Sequence, residues 1–297
     1  MKKTLAMMTA AMMVAGALAG CGSSSSTPVA TTAEATTAAA TEAATTEVAT
    51  TEAGDTAAAA EGTVKTPSGK FTVGFDQEFP PMGFVGDDGQ FTGFDLDLAK
   101  EVASRLGLEF VPQPINWDAK DMELDSGNID CIWNGFTMQG REDAYTWVGP
   151  YMANNQVFVV TADSDIASKA DLAGKAVEVQ KDSSGLAALQ GDAELSASFG
   201  SMTEVADYNT ARMDLESGAC DAVCMDSIVA GYQIKSSGKD MKILDDTLSA
   251  EEYGIGFKKG EDELAKAVYD TLMEMKDDGT VAKISNDWFG SDVFTLK

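Results

Sequence analysis

The chain has 297 residues, 48 acidic against 21 basic, a formal charge of −27 and no histidine. That excess of negative charge excludes nucleic acid and anionic lipid surfaces as electrostatically attracted partners. The missing imidazole removes the usual general base and the commonest zinc ligand, so neither a metal site nor a cofactor is expected.

Residues 1–20 read as a signal peptide. Lys2 and Lys3 supply the charged start, residues 5–18 the apolar run, and Leu18-Ala19-Gly20 a small-residue cleavage site ahead of Cys21. The apolar run is too short for a spanning helix, and no later segment is longer. Leu18-Ala19-Gly20-Cys21 resembles a bacterial lipobox, which implies diacylglycerol on the Cys21 sulfur. The alternative is an ordinary secretory peptide followed by a chance cysteine. Residues 21–66 are Ser, Thr, Ala and Glu with almost no large apolar side chain. Such a segment buries too little surface to offset chain entropy and reads as a disordered tether.

Roughly 230 residues remain, enough for one large core or two small lobes. Phe71-Thr72-Val73-Gly74-Phe75 alternates as a strand ending at Asp76, and Pro80 and Pro81 fix a rigid extended turn. Phe79, just past the strand end, suits either a stacking platform for a ligand or a core aromatic. Asp87-Asp88-Gly89 is a hairpin turn signal. Asp95 is placed as the N-cap of a helix whose core stripe is Leu98, Val102 and Leu106, with Gly107 as its stop.

The stretch that organises the rest is 122–141. Ser126-Gly127 ends a helix, Cys131-Ile132-Trp133 reads as a short apolar strand, and a polar loop follows with Asn134, Gly135, Thr137 and Arg141. In open α/β sheets, ligands bind beyond the carboxyl ends of strands; the competing reading is a solvated loop. The pattern returns in Met213-Asp214-Leu215-Glu216-Ser217-Gly218-Ala219-Cys220-Asp221, whose strand ends at Asp226. A repeated helix–strand unit suggests two similar lobes facing one ligand. One wall offers Arg141 and the other Asp226, and opposite charges on opposite walls suit a zwitterion.

Three cysteines follow Cys21. Cys220 and Cys224 fall at the start of and within one strand, where four residues span about 13 Å, beyond disulfide reach. Free thiols are expected there; the pairing of Cys131 stays open.

Gly93-Phe94-Asp95-Leu96-Asp97-Leu98, with Val102-Ala103 and Leu106, resembles the signature of family 3 extracellular solute-binding proteins, the polar amino-acid receptors of ABC importers. The likeness runs from about residue 70 to 290. Asp76-Gln77-Glu78-Phe79-Pro80-Pro81 is similar to the family's first-strand loop, and residues 176–185 to its second-lobe strand and turn. Tyr253-Gly254-Ile255-Gly256-Phe257, Asp278-Gly279-Thr280 and Trp288-Phe289-Gly290 resemble its C-terminal segments.

The resemblance implies an α/β, two-lobed, type II periplasmic-binding-protein-like fold with two crossing strands as hinge. Lobe 1 is expected over 67–153 and 250–297, and lobe 2 over 154–249. By the same resemblance, Phe79 and Trp117 sandwich the ligand's side chain and Asp76 touches it. Gly135 and Thr137 hold the ligand from their loop, and Arg141 pairs with the α-carboxylate. Ser183 and Ser184 add turn amides, and Asp226 holds the α-ammonium. Residue chemistry agrees: arginine presents a planar fork to a carboxylate, and Ser183-Ser184-Gly185 precedes a helical pattern whose first amides suit an anion. One departure is that Thr137 and Arg141 are four residues apart where the family has five, with Glu142 adjacent.

The implied function is a monomeric, lipid-anchored receptor on the outer face of a bacterial cell membrane. It captures a free polar L-amino acid, glutamine or a basic one, and passes it to an ABC permease and ATPase. The rivals are a cyclohexadienyl-dehydratase-like enzyme on the same fold and a stand-alone sensor or adhesin domain. A dehydratase needs a placed general acid, for which no histidine is present.

Overall fold

The computed structural model describes Thr66 and residues 68–297. The expected leader, Cys21 and the tether through residue 65 lie outside the described residues.

Lys70–Phe75 forms β1, with Phe71, Val73 and Phe75 buried. A small antiparallel sheet follows, of β2 (Glu78–Phe79), β3 (Gly83–Val85) and β4 (Phe91–Thr92). Its β3–β4 turn contains Asp87-Asp88-Gly89, as the turn signal predicts. Helix α1 (Phe94–Leu106) buries Leu98 and Val102 and ends at Gly107 in the left-handed conformation. Next come β5 (Glu109–Pro114), a 3-10 turn at Trp117–Ala119, α2 (Lys120–Ser126) and β6 (Cys131–Thr137). The long β7 (Tyr145–Thr161) leads to β8 (Ala176–Gln180), α3 (Ser184–Gly191), α4 (Ala193–Ser198) and β9 (Ser201–Val205). Then α5 (Tyr208–Ser217), β10 (Ala222–Asp226), α6 (Ser227–Ser237) and β11 (Met241–Ile243) precede β12 (Ser249–Lys258), α7 (Asp262–Asp277) and α8 (Thr280–Phe289).

The main sheet runs β5-β1-β6-β12-β7-β10-β8-β9, with β11 on β7. Its two halves share one plan. In one, β5, β1 and β6 are parallel and β12 lies antiparallel beside β6; in the other, β9, β8 and β10 are parallel and β7 lies antiparallel beside β10. The two antiparallel strands pair with each other along the middle. The sequence repeat falls on matching parts of this plan: α2 and α5 both end on a left-handed glycine, Gly127 at φ 76 and Gly218 at φ 77. Only glycine takes that conformation without steric cost, so both helices stop one residue after serine and feed β6 and β10.

Two expectations need correction. Strand β6 does not end at Trp133: it continues through Thr137, and every residue of it is buried. Asn134, Gly135 and Thr137 therefore sit in strand, because β12 pairs with β6 as far as Thr137 and satisfies its backbone. Asp95 is not the N-cap of α1. Gly93 takes that position at φ 147, where a Cβ would lie 2.2 Å from the Met82 carbonyl oxygen. Asp95 instead points inward, fully buried, and accepts from Gly135 N–H (2.7 Å) and Tyr151 O–H (2.8 Å). It fastens α1 to β6.

Cys131, Cys220 and Cys224 are buried free thiols. No described helix is long and apolar enough to cross a membrane.

Burial lifts the Asp95 carboxyl from 3.8 to about 7, against the hydrogen bonds from Tyr151 and Gly135 that lower it. Between those values the folded chain keeps a proton that the unfolded chain has released, so this group costs stability increasingly as pH rises from about 4 to 7. Asp95→Asn keeps the acceptor and removes the charge. Chemical denaturation from pH 4.5 to 8 should show a flatter stability profile for the variant, by on the order of 2–4 kcal/mol across the range.

Candidate functional site

The carboxyl ends of the parallel strands in the two halves face each other. Asp76 follows β1, Trp117 follows β5 and Thr137 closes β6; opposite them Gln180 closes β8 and Asp226 closes β10. Phe79, Trp117, Gly135, Thr137, Arg141, Gln180, Ser183, Ser184 and Asp226 line one small cavity of about 10 Å³. Of the residues singled out in the sequence, Asp76 and Asn134 are not part of its wall. Asn134 Oδ1 accepts from Asp76 N–H (3.0 Å), and Gln180 Nε2 donates to Asp76 Oδ2 (2.6 Å). Both therefore stand one layer behind the wall. Burial, the largest influence, lifts the Asp76 carboxyl to about 6.

Local sequence explains the placements. Ser183 caps α3, its hydroxyl accepting from Leu186 N–H (3.1 Å), and Ser183 and Ser184 at this helix start line the cavity. Gly135 lies at φ 57, and a Cβ there would meet Phe79 Cε1 at 2.9 Å and Tyr253 Cε2 at 3.1 Å. Phe79 is both a core aromatic and a residue of the cavity wall. Its ring belongs to the core cluster, faces the cavity, and lies 5.8 Å from the Tyr208 ring of the other half.

Arg141 reaches the cavity despite the short spacing. Its guanidinium donates to the carbonyls of Thr137 (3.2 Å) and Asp182 (3.3 Å) and lies 5.1 Å from the centre of the Phe136 ring. Within 4 Å it has no carboxylate partner among the described residues, while the adjacent Glu142 is exposed.

Asp226 is deeply buried and accepts from three donors: Tyr253 O–H (2.6 Å), Asn154 Nδ2 (2.8 Å) and Tyr208 O–H (3.1 Å). Gln156 and Glu251 stand behind it. None of these five was legible as a site residue, and neither was Gln180. The consecutive amides Asn154, Asn155 and Gln156 interrupt an otherwise largely apolar run in β7, which is the one local signal that something polar lies opposite.

Further contacts tie the walls together. Lys120, 1% exposed, pairs with Asp182 and lies 5.2 Å from the centre of the Trp117 ring. Lys181 pairs with Asp118 at 2.6 Å, Asn209 donates to Glu78, and Thr137 Oγ1 donates to Ser184 Oγ at 3.2 Å. Beside the cavity an open chamber of about 1030 Å³ shares Trp117 as a wall and is lined by Asp76, Glu78, Asp118, Glu204 and Asp207 among others.

Residues 71–291 match the bacterial extracellular solute-binding proteins, family 3. The chain belongs to this family. Among its relatives, the L-cystine-binding protein TcyJ of Escherichia coli (strain K12) is 32% identical over 231 residues, covering 76% of this chain and 84% of that protein. The L-cystine-binding protein TcyA of Bacillus subtilis (strain 168) is 32% identical over 229 residues, covering 76% and 83%. An ABC uptake transporter substrate-binding protein from Streptococcus pneumoniae, solved with bound histidine, superposes with a TM-score of 0.74 at 34% identity, covering 77% of this chain and 95% of that one. The mirrored sheet halves joined by β7 and β12 are thus the two lobes of a type II periplasmic-binding fold, and these relatives are binding proteins.

In this solute-binding protein, Gly135→Ala should cost about 1–3 kcal/mol, from left-handed strain plus the Phe79 contact. Urea titration reads the loss directly. An unchanged midpoint would mean that β6 relaxes freely at this position.

Proposed function

We propose that this protein captures a polar L-amino acid in the cleft between its lobes and delivers it to an ABC permease and ATPase. What carries the reading is that Arg141 and Asp226, opposite charges from the two copies of the repeated unit, line the same cavity. Arg141 and the first amides of α3 hold the α-carboxylate. Asp226 holds the α-ammonium, and Phe79 and Trp117 flank the side chain. Asp76, through Gln180, and Asn134, through Asp76, set that side chain's polar surroundings.

The side chain is directed past Trp117 towards the chamber, where acids outnumber bases. That favours a long side chain ending in a cation or an amide, such as arginine, lysine or glutamine. It also suits cystine, whose second half brings another ammonium. The lobes are assigned as 67–153 with 250–297 and as 154–249, crossing over within β7 and β12. The reading is of binding and not catalysis: the cavity wall carries charge complements and aromatic faces, and the named relatives are binding proteins. Release of an aromatic product from prephenate or arogenate would overturn it.

A thermal-shift panel of the twenty amino acids with cystine and ornithine identifies the ligand, since a ligand at 100 times its Kd adds about 2.7 kcal/mol. For that ligand, Arg141→Ala and Asp226→Asn should each weaken binding at least about thirtyfold by calorimetry, because each leaves a desolvated charge unpaired at roughly 2–5 kcal/mol. Additive losses when the ligand's own carboxylate is removed from both wild type and Arg141→Ala would show that the two do not meet.

The anchor is proposed at Cys21, from the Leu18-Ala19-Gly20-Cys21 sequence. Membrane fractionation should find Cys21→Ala in the soluble fraction or the medium; retention on the membrane would refute acylation there.

A further inference from the structure

The proposed ammonium pocket carries two carboxylates where one ammonium needs one. Asp226 is 3% exposed and Glu251 5%. Glu251 lies across the β7–β12 ladder from Asn154. Asn154 Nδ2 donates both to Glu251 Oε1 (2.7 Å) and to Asp226 Oδ1 (2.8 Å). Two acceptors of one nitrogen are no more than about 5.5 Å apart. Gln156 Nε2 donates to the same Glu251 oxygen (2.9 Å) and to Ser184 Oγ (3.0 Å) on the cavity wall.

The other groups facing the pair are the Tyr253 hydroxyl from β12, the Tyr208 hydroxyl from α5 and the Cys224 thiol from β10, with Ser183 and Ser184 from the N-cap and first residue of α3. None is a cation. Among the described residues neither carboxylate has a lysine or arginine within 4 Å. Two desolvated carboxylates this close do not both stay ionised. Burial first, and Glu251 second, push the Asp226 carboxyl above the ordinary carboxylate range.

We propose that Glu251 is a positioning residue of the ammonium pocket: the Asp226–Glu251 pair holds one proton in the ligand-free protein, and the ligand's α-ammonium takes that proton's place. The proton leaves to solvent and no covalent bond to carbon, nitrogen or sulfur changes. The pair passes from one negative charge to two, and the ammonium restores the pocket to one. Glu251 does not line the cavity and acts through Asn154 and Gln156. This inference rests on the proposed amino-acid site. It adds that binding is proton-linked and tightens as pH rises, because fewer protons then compete for the pocket.

Calorimetry with L-arginine, L-glutamine, L-histidine and L-cystine, near pH 6.5 in buffers of different ionisation enthalpy, counts the protons released. Wild type should release about 0.5–1 proton per ligand, and its Kd should weaken about tenfold or more from pH 7.5 to pH 5.5. Glu251→Gln keeps an oxygen for Asn154 and Gln156 and offers Asp226 a donor in place of a charge. Its release should fall below about 0.2 proton, with Kd varying less than about threefold over the same range. Glu251→Asp should restore proton release. A merely structural Glu251 predicts weaker binding in both variants at every pH with the proton count unchanged, which overturns the proposal. Wild-type binding without proton release overturns it with no variant needed. If none of the four ligands binds or shifts the melting temperature, the amino-acid reading fails and this inference falls with it.

Discussion

The antiparallel ladder between β7 and β12 is the constraint on which the rest depends. Among the described residues it is the strand pairing that joins the two halves of the sheet, and it runs from Tyr145–Lys258 at one end to Gln156–Ser249 at the other. Because each of its strands lies antiparallel beside a parallel set, the carboxyl ends of both sets are turned towards one another. Every strand-end polar group then arrives at one cleft: Asp76 and Thr137 from one side, Gln180 and Asp226 from the other. The ladder also supplies Asn154, Gln156 and Glu251, so the strands that join the halves also carry the polar groups behind Asp226.

Holding charge in such a place is costly unless partners come with it. The protein meets that cost differently at its buried charged groups. Lys120, almost fully buried, is matched by Asp182 and by the face of Trp117. Asp95 sits among neutral donors, with one oxygen lacking a hydrogen bond, and burial raises its affinity for a proton. Asp226 also has neutral donors, but with a second carboxylate nearby and no cation. Arg141 is held only by backbone carbonyls and an aromatic face. Arg141 and Asp226, each without an oppositely charged side chain within 4 Å among the described residues, both line the cavity.

Relatives about one third identical that are named for cystine binding, and a solved relative holding histidine, share this frame. In the proposed binding mode, Arg141 and Asp226 address groups that every amino acid carries. Discrimination among side chains has to come from elsewhere, and here the distinctive surroundings are Asp76 with Gln180 and the acidic chamber beyond Trp117. A chamber open to solvent places fewer limits on length than a closed pocket does, and in the proposed reading its acids bias the choice by charge more than by fit.

Several elements were determined by sequence alone because their causes are local. A left-handed glycine after serine ends a helix by local chemistry, so the Ser-Gly repeat at 126–127 and 217–218 marked two equivalent helix–strand units, and Arg141 and Asp226, the charges that follow them, line one cavity. Ser183 announced the start of α3 by the same kind of short-range chemistry. Where neighbours distant in sequence decide, the sequence misled or was silent. Thr137 lies in a strand and not a loop because β12, more than a hundred residues later, pairs with it. Asp95 passes for a helix cap until Gly135 and Tyr151 are brought to it. Asn154, Gln156 and Glu251 carry no motif at all. Their role exists only because an antiparallel register sets Glu251 opposite Asn154, and that register belongs to the tertiary structure, in which hydrogen bonds between strands fix which side chains share one buried space.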